Sequence, residues 1–350
     1  MKIAFIDTYY PPVLAKAVND SYRARLWDLL GRYFGTSFFY SEAFRVFGWD
    51  VLDIIANDDV GRQLWCKEMG IDYNTNEVSV VDQLVIFEPD IVYCQDLNFF
   101  PAAMIRELKR KYGWRFVAQH SCPWAGDAQV RAFDLVFTSF PHYVGRIAAL
   151  GVHAGFLPIA FGHQVLDHVE PIRRDIKVSF VGGLNGDRGH WSAGTEMMER
   201  IAEEVPGFKW WGYFIGDSSK HPALVKTYQG EAWGLDMYKV YARSEMVVNR
   251  HGEVAEGYSN NMRMFETTGC GALLLTEASK NLDTYFRPGV ECLAYREPGE
   301  LIDVINKALL WSPDLVAQIA EAGQARTMSE HTYERRLHAI EPILRSMRGD

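Results

Sequence analysis

Arginine, asparagine and a carboxylate gather where one short helix begins. Asn260-Asn261-Met262-Arg263 open a helical pattern and Glu266 lies one turn further on. Backbone N–H groups at a helix start favour an anion, and an arginine there can pair with phosphate oxygens without a metal. Just upstream, the apolar run Met246-Val247-Val248 ends in Asn249-Arg250-His251, so a buried strand delivers three polar side chains to its carboxyl end. A second such point is Gly182-Gly183, at the end of the run Lys177 to Val181 and followed by Arg188. Adjacent glycines let backbone approach a ligand closely, and a nearby arginine can meet phosphate oxygens. The same residues also have plainer uses: strand-end polar groups cap loops, and a glycine pair serves a tight turn.

Two more residues stand out by position. His120 follows the strand-like Phe116-Val117-Ala118, where an imidazole can touch hydroxyls, exchange protons near neutral pH, or serve as a hydrogen-bonded structural group. Trp233, within Gly230-Glu231-Ala232-Trp233-Gly234, can stack on a planar base or pack beneath its loop.

The elements that must hold these residues alternate along the chain. Strand patterns at Ile3–Ile6, Val51–Ile55, Ile91–Cys94, Phe116–Ala118 and Leu135–Phe137 each run into a polar loop and then a helical segment. This rhythm indicates an α/β domain with a parallel sheet. A new series starts at Lys177–Val181 and continues through Lys209-Trp210-Trp211, Met246–Val248 and Ala272–Leu275. The polar run up to Asp175 is the linker candidate and places a boundary near residue 165. No G-x-G-x-x-G follows the first strand, which disfavours a nicotinamide-binding unit.

The second half closely resembles the carboxyl-terminal half of the GT-B glycosyltransferases, in particular the spore maturation protein B (CgeB)-like branch related to the group-1 family. The likeness rests on Asn249-Arg250-His251, Gly257-Tyr258, Asn260-Asn261-Met262-Arg263, Phe265-Glu266 and Gly269-Cys270-Gly271-Ala272-Leu273-Leu274-Leu275-Thr276. Phe286-Arg287-Pro288-Gly289, Tyr295, Glu300-Leu301, Ile319–Gly323 and His331-Thr332-Tyr333 continue the family's order. The resemblance implies an α/β protein of GT-B fold, two Rossmann-like domains facing across a cleft. It implies an acceptor-binding domain over 1–165, a nucleotide-sugar-binding domain over 166–332 and, over 333–350, a helix crossing back to the first domain.

The resemblance also implies roles. Gly182 and Gly183 correspond to the diphosphate loop and Trp233 to the position whose backbone meets the nucleobase. Glu266 corresponds to the carboxylate that accepts hydrogen bonds from the ribose diol, and His120 to the histidine that touches the donor sugar. Arg188, Arg250, His251, Tyr258, Asn260, Asn261 and Met262 complete the donor set, with Arg263 and His120 as the catalytic pair. The expected activity is transfer of a sugar from a nucleoside diphosphate to a glycan, glycolipid, protein or small-molecule acceptor. Tyr258 stands where the family carries the first of its two glutamates, so stereochemistry is left open. An epimerase and a non-catalytic binding protein of the same fold are the alternatives.

Composition suits this. The chain has 350 residues, 48% hydrophobic and 23% charged, enough for two soluble domains. A net charge of −9 argues against a general nucleic-acid binder. The five cysteines are widely spaced without a C-x-x-C pair, and no Asp-x-Asp triplet occurs. Reduced core thiols, no metal and no cofactor beyond the donor are therefore expected. Met1-Lys2 lead directly into a strand, and no apolar run approaches the ~20 residues that span a bilayer. A cytoplasmic location is expected, with peripheral membrane contact left open.

Overall fold

The computed structural model describes all residues except 121–123, 170–172, 187–191, 253–254, 260 and 349–350. The chain divides into two compact units, one of Met1–Pro158 with Tyr333–Asp350, the other of Ile159–Thr332.

Unit 1 is built on six parallel strands: β1 (Lys2–Asp7), β2 (Asp50–Ile55), β3 (Ile91–Cys94), β4 (Arg115–His120), β5 (Leu135–Thr138) and β6 (His153–Phe156). Their order is β2-β1-β3-β4-β5-β6. Helices cover the sheet, so β3 and β5 are buried at every residue and read as continuous apolar runs. The last helix, Tyr333–Ser346, lies against the helix Phe39–Val46. Tyr333 stacks on Phe39 with ring centroids 5.1 Å apart, and Trp49 Nε1 donates to Glu341 Oε1 at 2.8 Å.

Unit 2 contributes β7 (Ile176–Val181), β8 (Leu184–Asn185), β9 (Phe208–Trp211), β10 (Phe214–Ile215), β11 (Ser244–Val248), β12 (Leu273–Glu277) and β13 (Leu293–Tyr295). Five form a parallel sheet in the order β13-β12-β11-β7-β9, while β8 and β10 pair separately. Val178, Phe180, Met246, Val248, Leu273 and Leu275 lie in its core cluster.

The units divide after Pro158, earlier than the boundary read near 165. Apolar packing explains the difference. Phe161 is fully buried, its N–H donates to His331 O at 2.8 Å, and it pairs with Thr332. Its ring covers Gly269 so closely that a Cβ there would lie 2.5 Å from it. The polar run seen in sequence lies inside unit 2, beyond this anchor.

In both sheets the following strands are laid down on opposite sides of the first strand, which leaves a crevice beyond the strand ends where ligands bind in such folds. That crevice lies between β1 and β3 in unit 1 and between β7 and β11 in unit 2.

Candidate active site

Glycine sets the shape of the β7 exit. Gly182 N–H donates to Trp211 O at 2.9 Å, and Gly212, at φ +138°, comes so near that a Cβ on it would lie 2.0 Å from Gly182 O. A Cβ on Gly183 would lie 2.6 Å from the Tyr213 ring. Tyr213 stacks on Trp233, centroids 5.8 Å apart and planes 12° apart, and Trp233 Nε1 donates to Glu231 Oε2 at 2.7 Å. Trp233 is thus half-buried in an aromatic pair, with Tyr213 still 37% exposed.

Two arginines reach the same edge, each against a glycine. Arg263 Nε donates to Val181 O, and a Cβ on Gly182 would lie 3.2 Å from the guanidinium. Arg250, just past β11, rests on Gly194 of the helix Ser192–Glu204, where a Cβ would sit 1.3 Å from a guanidinium nitrogen. Two cations at a strand-end crevice match the charge of a doubly charged anion.

The helix Met262–Gly269 starts here because Asn261 caps it. Its side-chain oxygen accepts Met264 N–H at 3.3 Å, while Nδ2 donates to Asn249 Oδ1 at 2.7 Å and Arg250 O at 2.8 Å. Asn249 Nδ2 in turn donates to Thr276 Oγ1 at 2.9 Å, and Tyr295 O–H donates to Asn249 O at 2.9 Å. The β11 exit, the helix cap and β12 are thereby one hydrogen-bonded block. Met262 is half-buried in the first turn.

His251, Tyr258, Arg188 and Asn260 make up the rest of the expected donor set with Gly182, Gly183, Trp233, Arg250, Asn261, Met262 and Glu266. His251 is 8% exposed: its N–H is accepted by Glu277 Oε2 at 2.9 Å and its Nε2 lies 3.4 Å from Thr276 Oγ1. Burial holds its pKa down at about 4, so it is neutral where it joins the block. Tyr258 carries Lys280 over its ring, Nζ 4.9 Å from the centroid, and Lys280 also donates to Glu256 O at 3.0 Å. Arg188 and Asn260 lie outside the described residues.

Glu266 is 4% exposed and accepts the Tyr238 hydroxyl at 3.3 Å. Burial pushes its pKa up to about 7, against the opposing pull of Arg263 and the Tyr238 hydroxyl. The carboxylate therefore titrates near neutrality, held inside unit 2.

His120 lies in unit 1 at the end of β4. Its Nδ1 is 3.0 Å from Thr138 Oγ1, its Nε2 is buried without a hydrogen-bond partner among the described residues, and its ring meets Tyr143 (4.8 Å), Trp124 (5.5 Å) and Phe140 (5.7 Å). Burial first, then Arg146 and His142, lowers its pKa to about 4, so the imidazole is neutral.

Gly194, Gly212, Tyr213 and Tyr238 were not among the residues singled out from sequence. The signal for Gly212-Tyr213 was present, since they follow β9 as Gly182-Gly183 follow β7. Among the described residues no group of three or more His, Cys, Asp or Glu side chains could hold a metal, and no helix is long and apolar enough to cross a membrane. Cys66, Cys94, Cys270 and Cys292 are free and buried.

Residues 189–342 match the model of a family described as Glycosyl transferase-like. No curated protein matches the chain in sequence. Solved structures match across nearly all of it. Sucrose-phosphate synthase from Thermosynechococcus elongatus superposes with a TM-score of 0.63 at 12% identity, covering 99% of each chain. Anabaena Alr3699/HepE, solved with UDP and glucose, gives 0.65 at 12% identity, covering 99% of this chain and 100% of its own. The α,α-trehalose 6-phosphate synthase from Burkholderia multivorans gives 0.60 at 12% identity over 98% of each chain. At such identity the likeness is one of fold, and the fold is GT-B.

Proposed function

We propose that this chain, a GT-B protein carrying a glycosyl transferase-like domain over residues 189–342, moves a sugar from a nucleoside diphosphate donor held by unit 2 to an acceptor held by unit 1. The observation that carries this reading is the pair of arginines, Arg250 against Gly194 and Arg263 against Gly182, beside the start of an Asn261-capped helix.

In this reading both guanidiniums and the helix start hold the diphosphate. When the bond between the anomeric carbon and the diphosphate oxygen breaks, its electron pair leaves with the nucleotide, the acceptor oxygen bonds to the anomeric carbon and gives up its proton to the departing diphosphate or to solvent, and cations already in place stabilise the charge. Tyr213 and Trp233 flank the base. Glu266 accepts the ribose hydroxyls after exchanging its Tyr238 partner, and His120 meets the sugar. Because the two arginines supply the positive charge, the reaction runs without a metal. UDP and glucose are bound by the HepE structure, which makes UDP-glucose the first donor to try.

The test is release of nucleoside diphosphate from UDP-, GDP-, dTDP- and CDP-sugars in the presence of mixed saccharide acceptors, with and without EDTA. Acceptor-dependent, EDTA-resistant turnover of one donor class is expected. Turnover without any acceptor would point instead to an epimerase or hydrolase.

A further inference from the structure

One face of the unit 1 sheet is only partly covered at its β6 edge. Leu135 and Phe137 of β5 pair in register with His153 and Gly155 of β6, so these four residues share a face, and Arg115 joins them two residues before Val117, the β4 partner of Leu135. The helix Tyr333–Ser346 reaches over this face with Ile343 and then ends. Between helix and sheet is a cavity of about 520 Å³, inside the range of about 300–1,000 Å³ usual for small-molecule sites. Parallel sheets are ordinarily covered on both faces, so an apolar floor with open space above it fits an occupant.

The floor is fixed in place. The Phe137 ring lies over residue 155, where only glycine leaves it room: a Cβ there would come 2.6 Å from the ring. On its other side Phe137 stacks on Tyr93, with centroids 6.4 Å apart and planes 17° apart. Leu135 continues the floor, and Ile343 and Met347 form the apolar wall, with Ile343 45% exposed at the open side.

Charge is confined to one end. Arg115, Leu135 and His153 are the first residues of β4, β5 and β6, so the charged end lies at the amino ends of the strands. Asp134 also lines it, but its carboxylate is already engaged: Oδ1 is 2.7 Å from Lys109 Nζ and Oδ2 accepts Phe116 N–H at 2.8 Å. Arg115 Nη1 stands 4.0 Å from Asp134 Oδ1, beyond hydrogen-bond reach, and its guanidinium makes no hydrogen bond among the described residues. One cation is therefore left over, and the exposed His153 imidazole can add a neutral N–H donor. A single negative charge balances this end. A phosphate dianion would carry one charge unmatched beside Asp134.

We infer that this cavity binds a small monocarboxylate with an apolar body, its carboxylate on Arg115 and its apolar part on Phe137 and Leu135 beneath Ile343. The site is at the opposite end of the strands from the crevice between β1 and β3, so the inference goes beyond the transferase reading and does not rest on it.

Isothermal titration with octanoate, phenylbutyrate, octanol and octylamine tests it, on wild type, Arg115→Gln and Ser346→Trp, each checked for an unchanged melting temperature. Ser346 is exposed on the rim, so a tryptophan there narrows the cavity without disturbing the core. Octanoate or phenylbutyrate should bind wild type at one site, about tenfold more tightly than octanol or octylamine. Arg115→Gln should lose about tenfold for the carboxylate and leave octanol unchanged, whereas Ser346→Trp should weaken both. No carboxylate binding to wild type, equal binding of octanol, or undiminished carboxylate binding to a folded Arg115→Gln overturns the inference. So does undiminished binding to a folded Ser346→Trp, which would place the ligand elsewhere.

Discussion

Arg263 lies across Gly182: its Nε donates to the carbonyl of Val181, and any β-carbon on Gly182 would come within 3.2 Å of the guanidinium. The pairing links the start of the helix Met262–Gly269 to the exit of β7, two elements far apart in sequence. It explains why a glycine and an arginine stand where they do, since the glycine makes room for the cation that the helix presents.

Gly182→Ala should therefore act on binding as well as on stability. The added methyl meets Arg263 at 3.2 Å and Phe180 at 2.9 Å, so the guanidinium and ring must shift. Denaturant titration should show a loss of about 1–3 kcal/mol, and nucleotide affinity should fall by about tenfold or more. Gly194→Ala displaces Arg250 in the same way and should have a comparable effect on affinity.

Glu266 makes stability depend on pH. Its folded pKa, about 7, lies above its ordinary value of 4.5. Being raised, it contributes stability that is fully present below pH 4.5 and is lost as pH rises through 7. The change amounts to about 3 kcal/mol. Glu266→Gln should flatten this part of the curve, so that the variant exceeds wild type in denaturant resistance at pH 8 but not at pH 4.5. Equal pH slopes in the two proteins would contradict the burial of an ionisable Glu266.

Trp233→Ala removes the partner of Tyr213 from the stacked pair. If the pair flanks a base, nucleotide affinity should drop by about 1–3 kcal/mol, the usual worth of a base stacked on an aromatic ring. Trp233→Phe should keep most of it. Isothermal titration of both variants reads the difference.

Asn261→Ala removes a helix cap together with two side-chain bonds to the β11 exit. The cap alone is worth about 1 kcal/mol, and a total loss of about 2 kcal/mol by chemical denaturation is expected.

Much of this was legible in the sequence because parallel strands buried on both faces leave unbroken apolar runs. The strands at Ile91–Cys94 and Leu135–Thr138 are of this kind. The glycine pair after β7 and the Asn261 cap were also readable, since a close approach that leaves no room for a Cβ and a side chain that accepts a helix N–H are each met by few residues. The helix Tyr22–Leu30 was not, because its mixed Arg, Leu, Trp and Tyr residues give a weak apolar stripe. Nor was the state of His251, which has the residue type and position of a ligand contact. Its contacts with Thr276 and Glu277 come from strand pairing that only the three-dimensional fold provides. Tyr238 escaped notice because an aromatic residue on a helix gives no sign of a carboxylate partner on another.

The measurement that bears most directly on the account is isothermal titration of wild type and Arg263→Gln with UDP, GDP, dTDP and CDP, each with and without EDTA. The account predicts clear binding of one nucleotide to wild type, unaffected by EDTA, and a loss of about tenfold or more in a folded Arg263→Gln. Failure of all four to bind wild type at millimolar concentration, or undiminished binding to Arg263→Gln, would contradict the claim that this strand-end site holds a nucleoside diphosphate.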